Sequence, residues 1–232
     1  MASSIGDFVC GIRNFLDQGF RGLPTILANC ILLLGLLQGN LTYIFFFVGL
    51  FILTPTTTFL FNFIISFIYK KIKGEEQSSW FYSPTGTAEQ CLMFPVFPSV
   101  ALGGSTFVVP SYWVTIMSFF FIYLFINAVS VYKEESQNNA SEEAVRRRKF
   151  QTATSMVIIL GLYIIFMMLR YASSGCETPI SMITGFLIGG GLSYGWYEAM
   201  KACGLGIFDD IFGIKTQMLV VDSQKIDQAL FK

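Results

Sequence analysis

The chain contains no histidine. That absence removes the Ser-His-Asp triad, the Cys-His dyad, histidine metal sites and the imidazole proton shuttle. Charge is also scarce: 13% of residues are Asp, Glu, Lys or Arg, against about 25% in a soluble domain. Neither sign is in excess, with 15 basic and 15 acidic residues, so the basic surplus expected of a nucleic-acid binder is missing. The five cysteines, Cys10, Cys30, Cys91, Cys176 and Cys203, form no CxxC pair, which argues against a zinc or thiol-redox site. Cys30 lies in an apolar run and reads as a small buried hydrophobe. Cys91 and Cys176 are placed to meet across loops if both face an oxidising side. No catalytic residue, cofactor or metal ligand is assigned, and a non-enzymatic protein is expected.

What the chain has in quantity is apolar surface. Of 232 residues, 53% are hydrophobic and 25 are phenylalanine, against 10 tyrosines and 3 tryptophans. Phenylalanine carries no polar atom and faces lipid without penalty, whereas Tyr and Trp favour the interface. This composition predicts a multi-pass membrane protein.

Five apolar runs stand out: Leu23 to Leu37, Leu41 to Tyr69, Val108 to Tyr132, Ala153 to Tyr171, and Pro179 to about Met200. A span needs roughly 20 residues to cross about 30 Å of hydrocarbon. The second run decides the count. If Thr54 caps a new helix that starts at Pro55, there are six segments, but each half has only about 14 residues, too few to cross. If Pro55 merely kinks one helix, neighbouring threonine hydroxyls can satisfy the carbonyls it frees. Basic residues pull the other way. Five spans place Arg13, Arg21, Lys70, Lys71, Lys73 and Arg170 on one side and nine on the other, while six spans give eleven against four, the stronger bias. Length is the firmer constraint. It predicts an all-α polytopic bundle of about five spans, with six as the alternative.

The rest is extramembrane. Residues 1–22 place Ile5, Phe8, Val9, Ile12, Phe15 and Leu16 at helical spacing among charges, the pattern of an amphipathic interfacial helix. Residues 23–73 form a transmembrane hairpin. The 74–107 loop is rich in aromatics and turn formers (Trp80, Phe81, Tyr82, Pro84, Pro95, Pro98); it is too apolar for disorder and is expected to pack on helix ends or a partner. Three further spans occupy 108–203, joined in part by the charged connector 133–150. There Glu142 and Glu143 precede Arg146, Arg147, Arg148 and Lys149, which predicts a solvated helix extension matched to the helix dipole. Residues 204–232 read as an amphipathic tail.

Within the spans, Gly185 and Gly189 form one GxxxG and Gly191 and Gly195 another. Glycines four apart share a helix face and admit a second backbone closely, so these four are expected to pack helices, within the chain or in an oligomer. Polar residues at or near membrane depth are Asn29, Asn62, Asn127, Arg170, Glu177 and Glu198; such groups usually face the bundle or a cavity. Arg170 and Glu198 lie near span ends, where they can snorkel, and Arg170 with Glu177 is expected to form an ion pair. Two sequons occur, at Asn40 and Asn139; Asn40 is too close to the bilayer to be a good acceptor.

Phe97-Pro98-Ser99 and Pro110-Ser111-Tyr112-Trp113 invite comparison with membrane lipid phosphatases that work through a phosphohistidine. Without histidine that step is impossible, and only an inactive relative is compatible with the sequence. The last third carries a closer likeness. Arg170-Tyr171, Gly175-Cys176-Glu177-Thr178, Gly189-Gly190-Gly191, Gly195-Trp196-Tyr197, Cys203-Gly204 and Asp210-Ile211-Phe212-Gly213-Ile214 together resemble multi-span membrane proteins of large nucleocytoplasmic DNA viruses, algal viruses such as the chloroviruses included. The likeness covers roughly residues 98–215. It implies a virion component of the internal membrane beneath an icosahedral capsid, or a minor capsid protein. Its partners would be the lipid bilayer and capsid or other virion proteins, met through 74–107, 133–150 and 204–232, with no specific nucleic acid. A transporter or channel, built on Pro55 and the glycine-rich last span, is the alternative.

Overall fold

The computed structural model describes residues 19–73, 80–82, 101–102, 105–133, 142–174 and 176–203. The amphipathic readings of residues 1–18 and 204–232, and the sequon at Asn139, lie outside these. The fold is helical: α1 (Leu23–Gln38), α2 (Leu41–Lys73), α3 (Tyr112–Lys133), α4 (Glu142–Ser174) and α5 (Pro179–Ala202). A two-residue hairpin, Ala101–Leu102 with Ser105–Thr106, precedes α3.

α1 starts with Pro24 in its first turn and stops at Gly39, whose φ of 62° lets its N–H turn back to the Gly35 and Leu36 carbonyls. The next residue, Asn40, caps α2 by accepting the Thr42 N–H at 2.9 Å. The two helices reverse tightly because Gly35 has no Cβ; one would stand 3.0 Å from the Tyr43 Cβ.

α2 is one uninterrupted helical rod of 33 residues, about 50 Å long at 1.5 Å per residue. Pro55 does not start a new segment, and Thr54 is no N-cap: it has helical dihedrals, φ −64° and ψ −50°. The proline is absorbed by a π-helical turn, Gly49–Leu53, just before it. Thr54 returns both its N–H and its Oγ1 (2.8 Å) to the Gly49 carbonyl, and Thr58 Oγ1 donates to the Thr54 carbonyl at 2.7 Å. Threonine hydroxyls thus take over bonding that the irregular turn disturbs.

α3 lies at the centre. Ser111 is its N-cap, accepting from the Val114 N–H at 3.2 Å. The helix therefore starts later than the apolar run at Val108, behind the cis Val109-Pro110 bond. Phe46, Leu50, Phe119, Tyr123 and Tyr197 form one buried cluster, with the Phe46 and Tyr123 rings 4.6 Å apart. Trp113, Val114, Met117, Phe121 and Ile159 form a second on the α4 side. The pairs Phe46 with Tyr123, Phe121 with Phe166, and Gly185 with Val114 show that α3 runs antiparallel to α2 and α4 and parallel to α5. The five rods therefore alternate in direction, with Cys176 at one end of the bundle and Cys203 at the other.

At the Cys176 end, Tyr69, Tyr82, Phe107 and Val109 pack over the tip of α2, and the Val108 N–H donates to the Phe81 carbonyl at 3.0 Å. These described parts of the 74–107 loop sit on helix ends, as its aromatic content predicts. α4 reaches back to Glu142, so Arg146–Lys149 fall in its second turn rather than at a helix end; the dipole acts favourably on Glu142 and Glu143 alone.

The outer surface is apolar. Leu37, Phe67, Ile72, Val157, Met168 and Leu187 are all more than 60% exposed. Cys30 and Asn29 also face outward rather than into the bundle. For a small thiol this is no cost if the surroundings are lipid.

α3 and α5 approach most closely at Gly185 and Gly189. A Cβ at Gly189 would overlap the Thr115 carbonyl oxygen and stand 2.8 Å from the Ser118 Cβ, neither of which can swing aside. Gly191 and Gly195 are on the outer face with nothing within 4 Å. Gly189→Ala is expected to destabilise the protein by about 1–3 kcal/mol, as overpacking does, while Gly191→Ala stays within about 0.5 kcal/mol of the parent or gains helix propensity. Thermal melting in detergent micelles reads both; equal effects of the two would refute the packing role of Gly189.

Candidate functional site: a buried ion pair and a polar interior

Arg170, one turn before the end of α4, and Glu177, in the loop to α5, meet with Arg170 Nε 3.0 Å from Glu177 Oε1. Both side chains are 3% exposed. Arg170 therefore does not snorkel toward water: the carboxylate and the Trp113 ring, 5.4 Å from its guanidinium carbon, hold it inside. Trp113 in turn donates its Nε1 to the Phe20 carbonyl at 3.3 Å, and the two rings lie 5.1 Å apart. One node thus joins the start of α3, the end of α4, the lead-in to α5 and the segment before α1.

The α5 side of the node is set by Thr178-Pro179-Ile180-Ser181. Thr178 Oγ1 accepts from the Ser181 N–H at 3.1 Å, and Ser181 Oγ accepts from the Thr178 N–H at 2.8 Å, a reciprocal capping box. Ser181 Oγ also lies 3.2 Å from Glu177 Oε2 and 2.8 Å from the Thr178 carbonyl oxygen, so its single proton serves one of the two at a time, while Arg170 donates to the other carboxylate oxygen. Cys176, beside it and buried, is disulfide-bonded to a residue outside the described ones; Cys30 and Cys203 are free.

Beyond the node, a polar interior follows α2 and α3. Asn62 Nδ2 donates to the Val109 carbonyl at 3.1 Å. Thr115 Oγ1 donates to the Ser111 carbonyl at 2.6 Å, and Ser118 Oγ and Tyr163 OH are 2.8 Å apart. Asn127 is fully buried on α3. Toward the Cys203 end, Ser193 Oγ and Trp196 Nε1 are buried atoms without a hydrogen-bond partner among the described residues. Trp196 packs its indole nitrogen on Gly49, where a Cβ would come within 2.7 Å. Glu198 is exposed, one turn from the end of α5.

Of the residues singled out from sequence, Arg170 and Glu177 are brought together, Gly185 and Gly189 face α3, and Gly191 and Gly195 face outward. Pro55 follows the π turn. Ser111 is a helix cap, Ser99 lies outside the described residues, and Asn40 is engaged as an N-cap with its sequon hydroxyl, Thr42, 2% exposed. Sequence reasoning did not find the Trp113 contact, the π turn or Ser181. Only the last had a local signal, the Thr-Pro-x-Ser spacing of a capping box. Among the described residues no three His, Cys, Asp or Glu side chains gather as metal ligands would.

This architecture defines a class: a helical protein with three helices long and apolar enough to cross a membrane, Leu41–Lys73, Tyr112–Lys133 and Val145–Ala172. Compared with family models, curated proteins and solved structures, the chain has no match.

The node generates a stability prediction. Removing Glu177 as Glu177→Ala leaves a buried guanidinium without its counter-charge, at a cost of about 3–5 kcal/mol. The double change Arg170→Met with Glu177→Leu removes both charges and is expected to recover most of that loss. Unfolding in detergent measures this; a double variant no more stable than the single would show that the charge pair is not the source of the effect.

Proposed function

We propose that this chain is a non-enzymatic, five-span membrane protein with a structural role, linking the internal lipid membrane of a virus particle to its capsid shell. The observation that carries the structural reading is how the polar interior is used. Ser111, Thr54, Thr58, Asn62, Thr115 and Ser181 each make a cap or a bond that holds backbone together, and the one deeply buried described ion pair ties helix ends. The outer face is apolar along the rods, as an anchor requires. The alternating directions of α1 to α5 support the five-span count, α1 and α5 adding to the three helices that are long and apolar enough to cross by themselves. The assignment to a virion membrane rests on the likeness of residues 98–215 to viral membrane proteins. In that role the 74–107 loop on one face, or the 133–150 segment and the tail from 204 on the other, meet capsid or other virion proteins.

The test is stepwise extraction of purified particles with mild detergent. The protein is expected to stay with the shell after bulk lipid is removed. If it leaves with the lipid while shells remain intact and unaltered in composition, the linking role fails.

A transporter or channel is the second reading. It is favoured by the π turn Gly49–Leu53, by the buried Trp196 Nε1 packed on Gly49 and by the buried Ser193 Oγ three residues earlier on α5, since irregular helices often line binding sites. Purified protein in liposomes would then carry ions or small polar solutes across the bilayer. Permeability equal to that of empty liposomes would reject this reading.

A further inference from the structure

The two ends of α5 are chemically unlike. At its start, Cys176 is buried and disulfide-bonded. At its end, Cys203 is a free, exposed thiol. The helix between them has 24 residues, about 36 Å at 1.5 Å per residue, and the hydrocarbon core is about 30 Å thick. A disulfide persists on an oxidising side, and a free accessible thiol is the expected state on a reducing one.

A second observation is independent of the cysteines. At the Cys203 end, α4 carries Arg146, Arg147, Arg148 and Lys149 in one turn; Arg146, Arg147 and Lys149 are exposed and Arg148 is buried. The next residue, Phe150, is 72% exposed, and Val157, two turns on, is also 72% exposed. The basic turn therefore stands where an apolar outer face begins. Lys133 and Lys201 end their helices at the same level. At the Cys176 end the described basic residues are Arg21, Lys70, Lys71, Lys73 and Arg170, and Arg170 is neutralised inside the bundle by Glu177. Juxtamembrane basic clusters favour the cytoplasmic, anionic leaflet.

From these two observations we infer that the protein is inserted with its Cys176 end in an oxidising compartment and its Cys203 end on the reducing side, where the basic turn of α4 docks on anionic phospholipid headgroups. The inference rests on the five-span reading only insofar as α5 must cross. The arginine–glutamate node, the aromatic lid over α2 and the disulfide then share the oxidising face. The reducing face presents the basic turn and the free thiol.

Full-length protein in sealed, right-side-out endoplasmic-reticulum vesicles tests this. A membrane-impermeant maleimide, with peptide mapping to assign the label, is expected to modify Cys203 in intact vesicles. Cys176 is expected to react only after permeabilisation, denaturation and reduction. Protection of Cys203 until permeabilisation overturns the orientation. Labelling of both ends from the same side removes α5 as a span, and with it the five-span reading itself. The triple variant Arg146→Gln, Arg147→Gln, Lys149→Gln touches only exposed side chains and is expected to raise the protected share of Cys203 several-fold. It is also expected to weaken retention of detergent-solubilised protein on anionic over neutral lipid nanodiscs. A triple variant indistinguishable from the parent in both readouts overturns the role of the basic turn.

Discussion

The structure depends most on the close approach of α3 and α5 at Gly185 and Gly189. Between lipid-facing helices the hydrophobic effect supplies no net attraction, because lipid tails are as apolar as leucine. Association must come from dispersion and from polar contacts at short range, and both need backbones to come close. A missing Cβ at Gly189 brings its backbone against the Thr115 carbonyl. Once α3 and α5 are paired, Tyr123 and Tyr197 meet and create the surface on which Phe46 and Leu50 of α2 settle. The π turn belongs to the same contact, since Gly49 is where α2 receives Trp196 and Phe119.

The ends are held by different physics. At the Cys176 end a charge pair is tolerated because both charges have partners: Arg170 has a carboxylate and a ring face, and Glu177 has the guanidinium, with the Ser181 hydroxyl 3.2 Å from its other oxygen. Such a pair contributes little net stability relative to an apolar replacement, but losing half of it is costly. It therefore serves to fix which helix ends meet. At the other end the α1–α2 reversal uses only backbone and one side-chain cap, and the remaining chemistry is exposed basic charge.

How much of this is legible in the sequence varies with distance along the chain. Run length alone argues for one helix across Pro55, and α2 is continuous. The Arg170–Glu177 contact is legible because a short loop joins them. The i, i+4 glycine spacing identifies two helix faces but not which faces α3, because that depends on where α3 lies. Gly185 and Gly189 turned inward, while Gly191 and Gly195, centred about 120° away around the helix at roughly 100° per residue, turned outward. Cys30 and Asn29 were expected inside and are outside for the same reason. The π turn was not legible, since Pro55 alone is compatible with a kink, a new helix start or a π turn. Charge arithmetic, which favoured six spans, carries no information on whether α2 is one helix, because that is set by the local geometry at Thr54.

The measurement that bears most directly on the glycine-mediated α3–α5 contact is disulfide crosslinking in native membranes, in a background where Cys30 and Cys203 are serine. Ile122 packs on Gly190, where a Cβ would stand 2.9 Å from Ile122 Cδ1, while Gly191 opens outward. The pair Ile122→Cys with Gly190→Cys is predicted to crosslink rapidly within one chain, and Ile122→Cys with Gly191→Cys to crosslink poorly. Equal yields from the two pairs, or the reverse order, would contradict the account.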